Sequence, residues 1–337
     1  MKTEILNDKS ALDLENAGKI LREGGIVAFA TETVYGLGGN ALDSNAIIKI
    51  FEAKGRPQDN PLIVHISDPS EADKYVYVNE LFNKLAKEFM PGPITVILPK
   101  RDVICKEVSC GLDSIGIRVP LYAPARELIA KAGIPVAAPS ANISGKPSPT
   151  KAQHVIDDMN GKVDAILIGD DCAVGVESTV VKITGEDSLV ICRPGAVTLE
   201  MLKEVCGNVT VDPAVLAKFE GKPVSPGMKY RHYAPKAAVT VLVGTEEQFF
   251  DYLKGKADFG VLCFDEDAKL LEFKNSMSLG SCFDLSEQAS KLFDCLREFD
   301  KLCDVKEIYA RMPEKNGVGL AVFNRLLKAA GFNVIEL

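Results

Sequence analysis

Residues 135–150 read PVAAPSANISGKPSPT. An apolar strand runs into a proline, and Ser140, Asn142, Ser144 and Ser148 follow among small residues and more prolines. The prolines restrict the backbone, and short hydroxyls with an amide suit the polar edges of a small ligand. The same composition also makes a surface turn. Its entry directly from an apolar strand favours a binding loop carried on a sheet. This strand-then-loop pattern repeats outward along the chain, and the repetition sets the fold class as α/β.

Toward the N-terminus, GGIVAFA (24–30), PLIVHI (61–66), PITVILP (93–99) and SIGIRVP (114–120) have the short apolar runs of buried strands. DSNAIIKIFEAKG (43–55) predicts a helix capped by Asp43 or Ser44, with Ile47, Ile50 and Phe51 on one face and Gly55 and Pro57 ending it. NELFNKLAKEF (79–89) predicts a second, capped by Asn79. Beyond the opening stretch, PTKAQHVIDDM (149–159) predicts a helix opened at Thr150, DAILIG, STVVKI and SLVICRPG predict strands, and TLEMLKEV predicts a helix. Residues 212–238 carry Pro213, Pro223, Pro226 and Pro235 and read as an extended connector. Its SPGMKYRHYAPK (225–236) is basic in a chain of net charge -8. From residue 239 strands and helices alternate to the end, which predicts a smaller parallel, Rossmann-like α/β domain. The expected division is a catalytic unit over 1–205, a connector over 206–237 and a second domain over 238–337.

With 47 acidic against 39 basic residues, the chain lacks the broad basic surface of a non-specific nucleic-acid binder. No apolar run reaches the roughly 20 residues that cross a bilayer, and the polar start does not resemble a signal peptide. Nine scattered cysteines without a C-x-x-C pair predict reduced thiols in a cytoplasmic protein. Three isolated histidines argue against a zinc site. The phosphate loop, dinucleotide fingerprint, nucleophile elbow and H-E-x-x-H are all absent.

The chemistry-bearing residues sit at strand and helix ends. ATETVYGLGGNA (30–41) places two threonines and three glycines after the first strand, read as a glycine-rich turn. Lys54 and Arg56 flank the end of a helix, where cations either answer the helix dipole or form a fork for phosphate. His65 lies inside an apolar strand, the usual setting of a core histidine. Arg118 points opposite to Ile117 and Val119, and needs either a structural carboxylate or an anionic ligand. Arg193 ends another strand. Brought together, Lys54, Arg56, Arg118 and Arg193 would suit a polyphosphate plus a carboxylate. Glu32, Asp170, Asp171 and Glu177 are acids near the same loops.

Taken in order, TETVYGLG, KGRPQDNPLIVHI, PGPITVIL, GIRVP, APSANISGKPSPT, and ESTVV followed by RPG resemble the YrdC-like fold of threonylcarbamoyl-AMP synthases. SPGMKYRHYAP and GLAVFNRLLKAAG resemble the long, two-domain form of that family. The resemblance implies a twisted mixed-sheet N-terminal domain. It implies that L-threonine, bicarbonate or CO2, and ATP with Mg2+ yield threonylcarbamoyl-AMP and pyrophosphate. A separate transferase complex would then modify adenosine 37 of tRNA, so tRNA is an indirect partner and no membrane is involved. Carried onto this sequence, it implies that Thr33, His65, Arg118, Ala138 and Ser178 serve threonine. Lys54, Arg56, Asn60, Ser114, Ser140, Asn142, Ser148, Arg193 and Tyr230 would serve ATP, with Lys54 and Arg56 catalytic and no protein-held metal. Tyr230 would belong to a basic lid over the nucleotide. Two alternatives stand beside this reading: an RNA-binding module, and another carbamoyl-adenylating enzyme, whose usual acylphosphatase-like and zinc-finger segments are not seen here.

Overall fold

The computed structural model describes residues 2–216 and 232–337. Eleven strands form the first sheet: β1 (Glu4–Asn7), β2 (Val27–Phe29), β3 (Gly36–Asn40), β4 (Ile63–His65), β5 (Ile94–Pro99), β6 (Ser114–Arg118), β7 (Val136–Ala138), β8 (Ala165–Ile168), β9 (Thr179–Gly185), β10 (Ser188–Arg193) and β11 (Asn208–Val211). They lie in the order β1-β8-β2-β3-β7-β4-β6-β5-β9-β10-β11. Parallel and antiparallel pairs mix: β4 runs parallel to β6, for instance, and antiparallel to β7. The central strands β4 and β7 are buried along their length, and β5 is buried up to Pro99, as their apolar runs require. Helix Ser44–Lys54 packs Ile47, Ile50 and Phe51 into one core, and Asp43 caps it by accepting from the Asn45 N–H. Leu14, Leu21, Phe29 and Leu128 build a separate core, to which helices Ala11–Arg22 and Ala123–Ala132 contribute.

Three features depart from the sequence reading. The run GLGGN, expected as a turn, is strand β3, antiparallel to both β2 and β7. Its glycines have low strand propensity, but packing overrides this. A Cβ on Gly38 would stand 2.7 Å from Val136 Cγ1 and 2.8 Å from Phe29 Cε1, so only glycine lets β3 lie under its neighbours. Residues 208–211, inside the expected connector, form β11 parallel to β10. Thr150 does not open a helix; the helix is Ala152–Met159, with Lys151 at its N-cap.

The second sheet contains β12 (Ala238–Val243), β13 (Phe259–Cys263), β14 (Ser276–Ser278), β15 (Glu307–Arg311) and β16 (Val334–Glu336), all paired in parallel in the order β14-β13-β15-β12-β16. Helices cover both faces, giving the three-layer α/β domain that the alternation predicts. Helices Leu285–Phe299 and Gly319–Ala329 turn toward the first domain. Val34 and Val176 of the first domain join the second domain's core. Arg297 Nη2 donates to Asp158 Oδ2 at 2.8 Å and to the Pro147 carbonyl at 2.6 Å. Arg325 Nε donates to Glu177 Oε2 at 2.8 Å. Lys151 pairs with Asp294 at 2.8 Å.

Gly175 lies on this seam with φ of +74°, and a Cβ there would press into the Ser290 Cα and the Ala289 carbonyl of helix Leu285–Phe299. Gly175→Ala combines a left-handed backbone with a clash against helix backbone. We expect it to cost about 2 kcal/mol or more, read as a lower urea midpoint and faster proteolysis near the seam. An unchanged midpoint would mean that the domains are not rigidly seated.

Candidate active site

The ends of β2, β4, β6, β7 and β10 open onto one cavity. Its walls include Lys54, Arg56, His65, Arg118, Ala138, Ser140, Asn142 and Arg193. The four cations singled out at separate sites in the sequence therefore converge. Thr31, Val34, Ser144, Lys146, Glu177, His232 and Tyr233 complete much of the lining.

Lys54 is the hinge between helix and loop. It is the last residue of its helix, and Gly55 caps the helix in a left-handed conformation. Its Nζ donates to the Ser140 carbonyl and, at 2.6 Å, to the Asn142 carbonyl; its own carbonyl accepts from the Ser144 N–H. The SAN loop is held further by Ser140 Oγ donating to Asn142 Oδ1, while Asn142 Nδ2 donates to the Ile143 and Lys146 carbonyls. Burial and the adjacent Arg56 press the Lys54 ammonium well below its ordinary pKa. An arriving anion would favour its charged form. Arg56 reaches back to the Asn60 carbonyl at 2.8 Å, which places Asn60 beside it.

On the opposite wall Arg118 is 4% exposed. Its Nη2 donates to Glu32 Oε1 at 2.7 Å and to Thr33 Oγ1 at 2.9 Å. The question left by the sequence is answered in part: a structural carboxylate holds this arginine. Its Nε nevertheless has no acceptor among the described residues. Thr33 sits behind it, bonded to Thr31 Oγ1 at 2.9 Å. His65 is buried beside Arg118, with Nδ1 3.2 Å from the Ile63 carbonyl. Burial first and Arg118 second lower its pKa to about 3, so the ring is neutral.

The third wall joins β9 and β10. Arg193 donates from Nε to the Ser178 carbonyl at 3.0 Å and from Nη2 to Ser178 Oγ at 3.1 Å; Ser178 Oγ lies 2.8 Å from Thr95 Oγ1. Ser148 Oγ donates to Glu177 Oε1, which puts this serine behind the lining rather than in it. Ser114, at the start of β6, borders a smaller neighbouring cavity with Pro61, Thr95 and Gly116. Ile63 lines both cavities. Tyr230 lies outside the described residues, as do Lys229 and Arg231; His232 and Tyr233, next along, do reach the cavity.

Glu177 and Arg325 carry roles that the sequence reading did not assign. Arg325 had a visible signal. In helix Gly319–Ala329 it falls at the spacing of Ala321, Val322 and Leu326, all buried. A cation on an apolar face requires a buried partner. Among the described residues, the group with metal-ligand spacing is His154, Asp294 and Glu298, none of which lines the cavity.

A family model described as telomere recombination, for the Sua5, YciO and YrdC group, matches residues 19–195. One described as threonylcarbamoyl-AMP synthase, C-terminal domain, matches residues 197–331. A threonylcarbamoyl-AMP synthase of Pyrococcus abyssi is 43% identical over 347 residues, covering 99% of this chain and 100% of that protein. One from Bacillus subtilis is 45% identical, covering 96% of this chain and 94% of that protein. The crystal structure of P. abyssi Sua5 complexed with L-threonine matches with a TM-score of 0.91 at 40% identity, over 100% of both chains. The mixed-sheet domain and the second domain both agree with the matched structure, and the chain belongs to the threonylcarbamoyl-AMP synthase family.

Proposed function

We propose that this protein converts L-threonine, bicarbonate and ATP to threonylcarbamoyl-AMP and pyrophosphate. The observation that carries the reading is the convergence of Lys54, Arg56, Arg118 and Arg193 on one cavity, in a chain matching the threonine-bound relative end to end. Threonine and bicarbonate first combine into N-carboxy-threonine: the amine nitrogen bonds to the bicarbonate carbon, a C–O bond of bicarbonate breaks, and water leaves. Its new carboxylate oxygen attacks the α-phosphorus of ATP, the bond from that phosphorus to the bridging oxygen breaks, and pyrophosphate leaves with the electron pair.

The charge that builds at phosphorus and on the leaving group falls to Lys54 and Arg56, fixed before the substrate arrives by the SAN loop and the Asn60 carbonyl. Arg118, with its orphaned Nε, takes the threonine carboxylate. Neutral His65 and Ala138 shape that end, and Ser178, behind the lining, acts on it through its bond to Arg193. Ser140, Asn142, Arg193 and, behind them, Ser148 serve the nucleotide, with Ser114 in the adjoining recess and Tyr230 as the expected lid contact. No side chain need act as nucleophile; the work is proximity and charge stabilisation. Mg2+ enters with ATP as part of the substrate. The carboxylate in the cavity lining, Glu177, is already engaged by Ser148 and Arg325, and Glu32 behind the wall by Arg118, so the reading asks neither to hold the ion, which the phosphates and water would ligate. The product is a labile mixed anhydride that needs an acceptor, and the reading places a threonylcarbamoyl transferase complex acting on tRNA downstream. ATP and that tRNA pathway put the reaction in the cytoplasm. No helix among the described residues is long and apolar enough to cross a membrane.

Pyrophosphate release should require both threonine and bicarbonate, with threonylcarbamoyl-AMP identified by mass spectrometry; release with neither, or none at all, contradicts the reading. Lys54→Ala should lower kcat/KM by about 100-fold or more, whereas an unchanged value would remove Lys54 from the chemistry. Arg118→Lys should raise KM for threonine by about tenfold and leave KM for ATP near its original value; the reverse split would reassign that wall. His65 gives a stability test. Its folded pKa of about 3 lies below the ordinary 6.5, so its contribution is full above pH 6.5 and is lost as pH falls toward 3. His65→Gln should flatten the fall of the urea midpoint across that window, and an unaltered slope would place the histidine in solvent.

A further inference from the structure

Glu177 is a carboxylate in the wall of a cavity otherwise built for anions. It is 6% exposed and lines the same space as Lys54, Arg56 and Arg193. An ionised carboxylate there would repel a polyphosphate unless it is matched by a cation. Burial alone would push its pKa up, but Arg325 and then Arg193, with help from Ser148, more than offset this and hold it at about 2.

Arg325 comes from the second domain and does not line the cavity. It is fully buried. Its Nε donates to Glu177 Oε2 at 2.8 Å and its Nη2 lies 3.4 Å from the Glu177 carbonyl. Its Nη1 donates to Asn324 Oδ1 at 3.0 Å, and Asn324 Nδ2 in turn donates to the Val215 carbonyl at 2.6 Å. With Ser148 on Oε1, both oxygens of Glu177 are taken, one from each domain.

We propose that Arg325 is a positioning residue for the nucleotide: it neutralises and fixes Glu177 from the far side of the domain seam, so that the second domain supports the anion-binding wall from behind. This rests on the reading of the cavity as an ATP site. Truncating one member of such a buried pair leaves the other charge uncompensated. In Arg325→Ala the stranded carboxylate would face the phosphates, and the harm would grow with the charge of the ligand.

The test is calorimetric titration of the full chain with ATP and with adenosine, alongside pyrophosphate-release kinetics. Arg325→Ala should weaken ATP binding by about tenfold or more and adenosine binding much less, raising KM for ATP without moving KM for threonine. Adding Glu177→Gln to the same chain should restore most of the ATP affinity by deleting the stranded charge. Arg325→Lys, which keeps the charge and loses the planar fork, should fall between the two. Lys151→Ala, which removes a different ion pair across the seam, should leave ATP affinity unchanged. If Arg325→Ala fails to fold, the contrast of Arg325→Lys with Arg325→Lys/Glu177→Gln reads the same effect. Equal losses for ATP and adenosine, no suppression by Glu177→Gln, or a matching loss in Lys151→Ala would overturn the proposal and leave Arg325 a domain-docking residue only. An intact protein that binds ATP yet releases no pyrophosphate would sink the reaction reading while the titrations still decide Arg325. One that binds no ATP would overturn both.

Discussion

A buried carboxylate between two domains organises this molecule. Glu177 sits where β9 begins, at the cavity and against the seam, and satisfying it draws in Ser148 from the SGKPSPT loop and Arg325 from the second domain. Removing a partner from such a site costs far more than the pair contributes relative to an apolar seam. The geometry is therefore fixed in three places at once: the loop, the strand end and the helix Gly319–Ala329. Arg297, from helix Leu285–Phe299, repeats the device across the same seam, clamping Asp158 and the Pro147 carbonyl of the same loop as Ser148. The second domain thus touches the site through its supports rather than through its lining.

The chemistry asked of the cavity explains why so much of the molecule is spent on holding cations still. Attack of a carboxylate on phosphorus brings anions together, and rigid ammonium and guanidinium groups lower that barrier without reorganising. Lys54 is tied to loop carbonyls, Arg56 to Asn60, Arg118 to Glu32 and Arg193 to Ser178. Each cation has a protein acceptor that sets its direction.

Much of this was legible in the sequence, for physical reasons that differ between residues. The strands β4 to β10 are short apolar runs, and Asp43 and Asn79 mark helix starts through their side-chain acceptors. Lys54, Arg56, Arg118 and Arg193 could each be picked out as cations at element ends. Their convergence could not, because β4 and β10 lie far apart in sequence and four places apart in the strand order, yet their ends line one cavity. β3 was hidden because its glycines serve close packing against Phe29 and Val136, a tertiary demand that propensity does not record. β11 was masked by neighbouring prolines. The Glu177 and Arg325 pairing spans 148 residues, and only the unexplained cation on an apolar helix face hinted at it. Ser114 and Ser148, assigned by resemblance, turn out to border an adjoining recess and to stand behind the wall.

The measurement that bears most directly on the account is a crystal structure of the protein with L-threonine and a non-hydrolysable ATP analogue. The account predicts the triphosphate against Lys54 and Arg56, the threonine carboxylate on Arg118, and Glu177 still held by Arg325. A nucleotide bound elsewhere, for example on the second domain's sheet edge, or threonine bound away from Arg118, would contradict it.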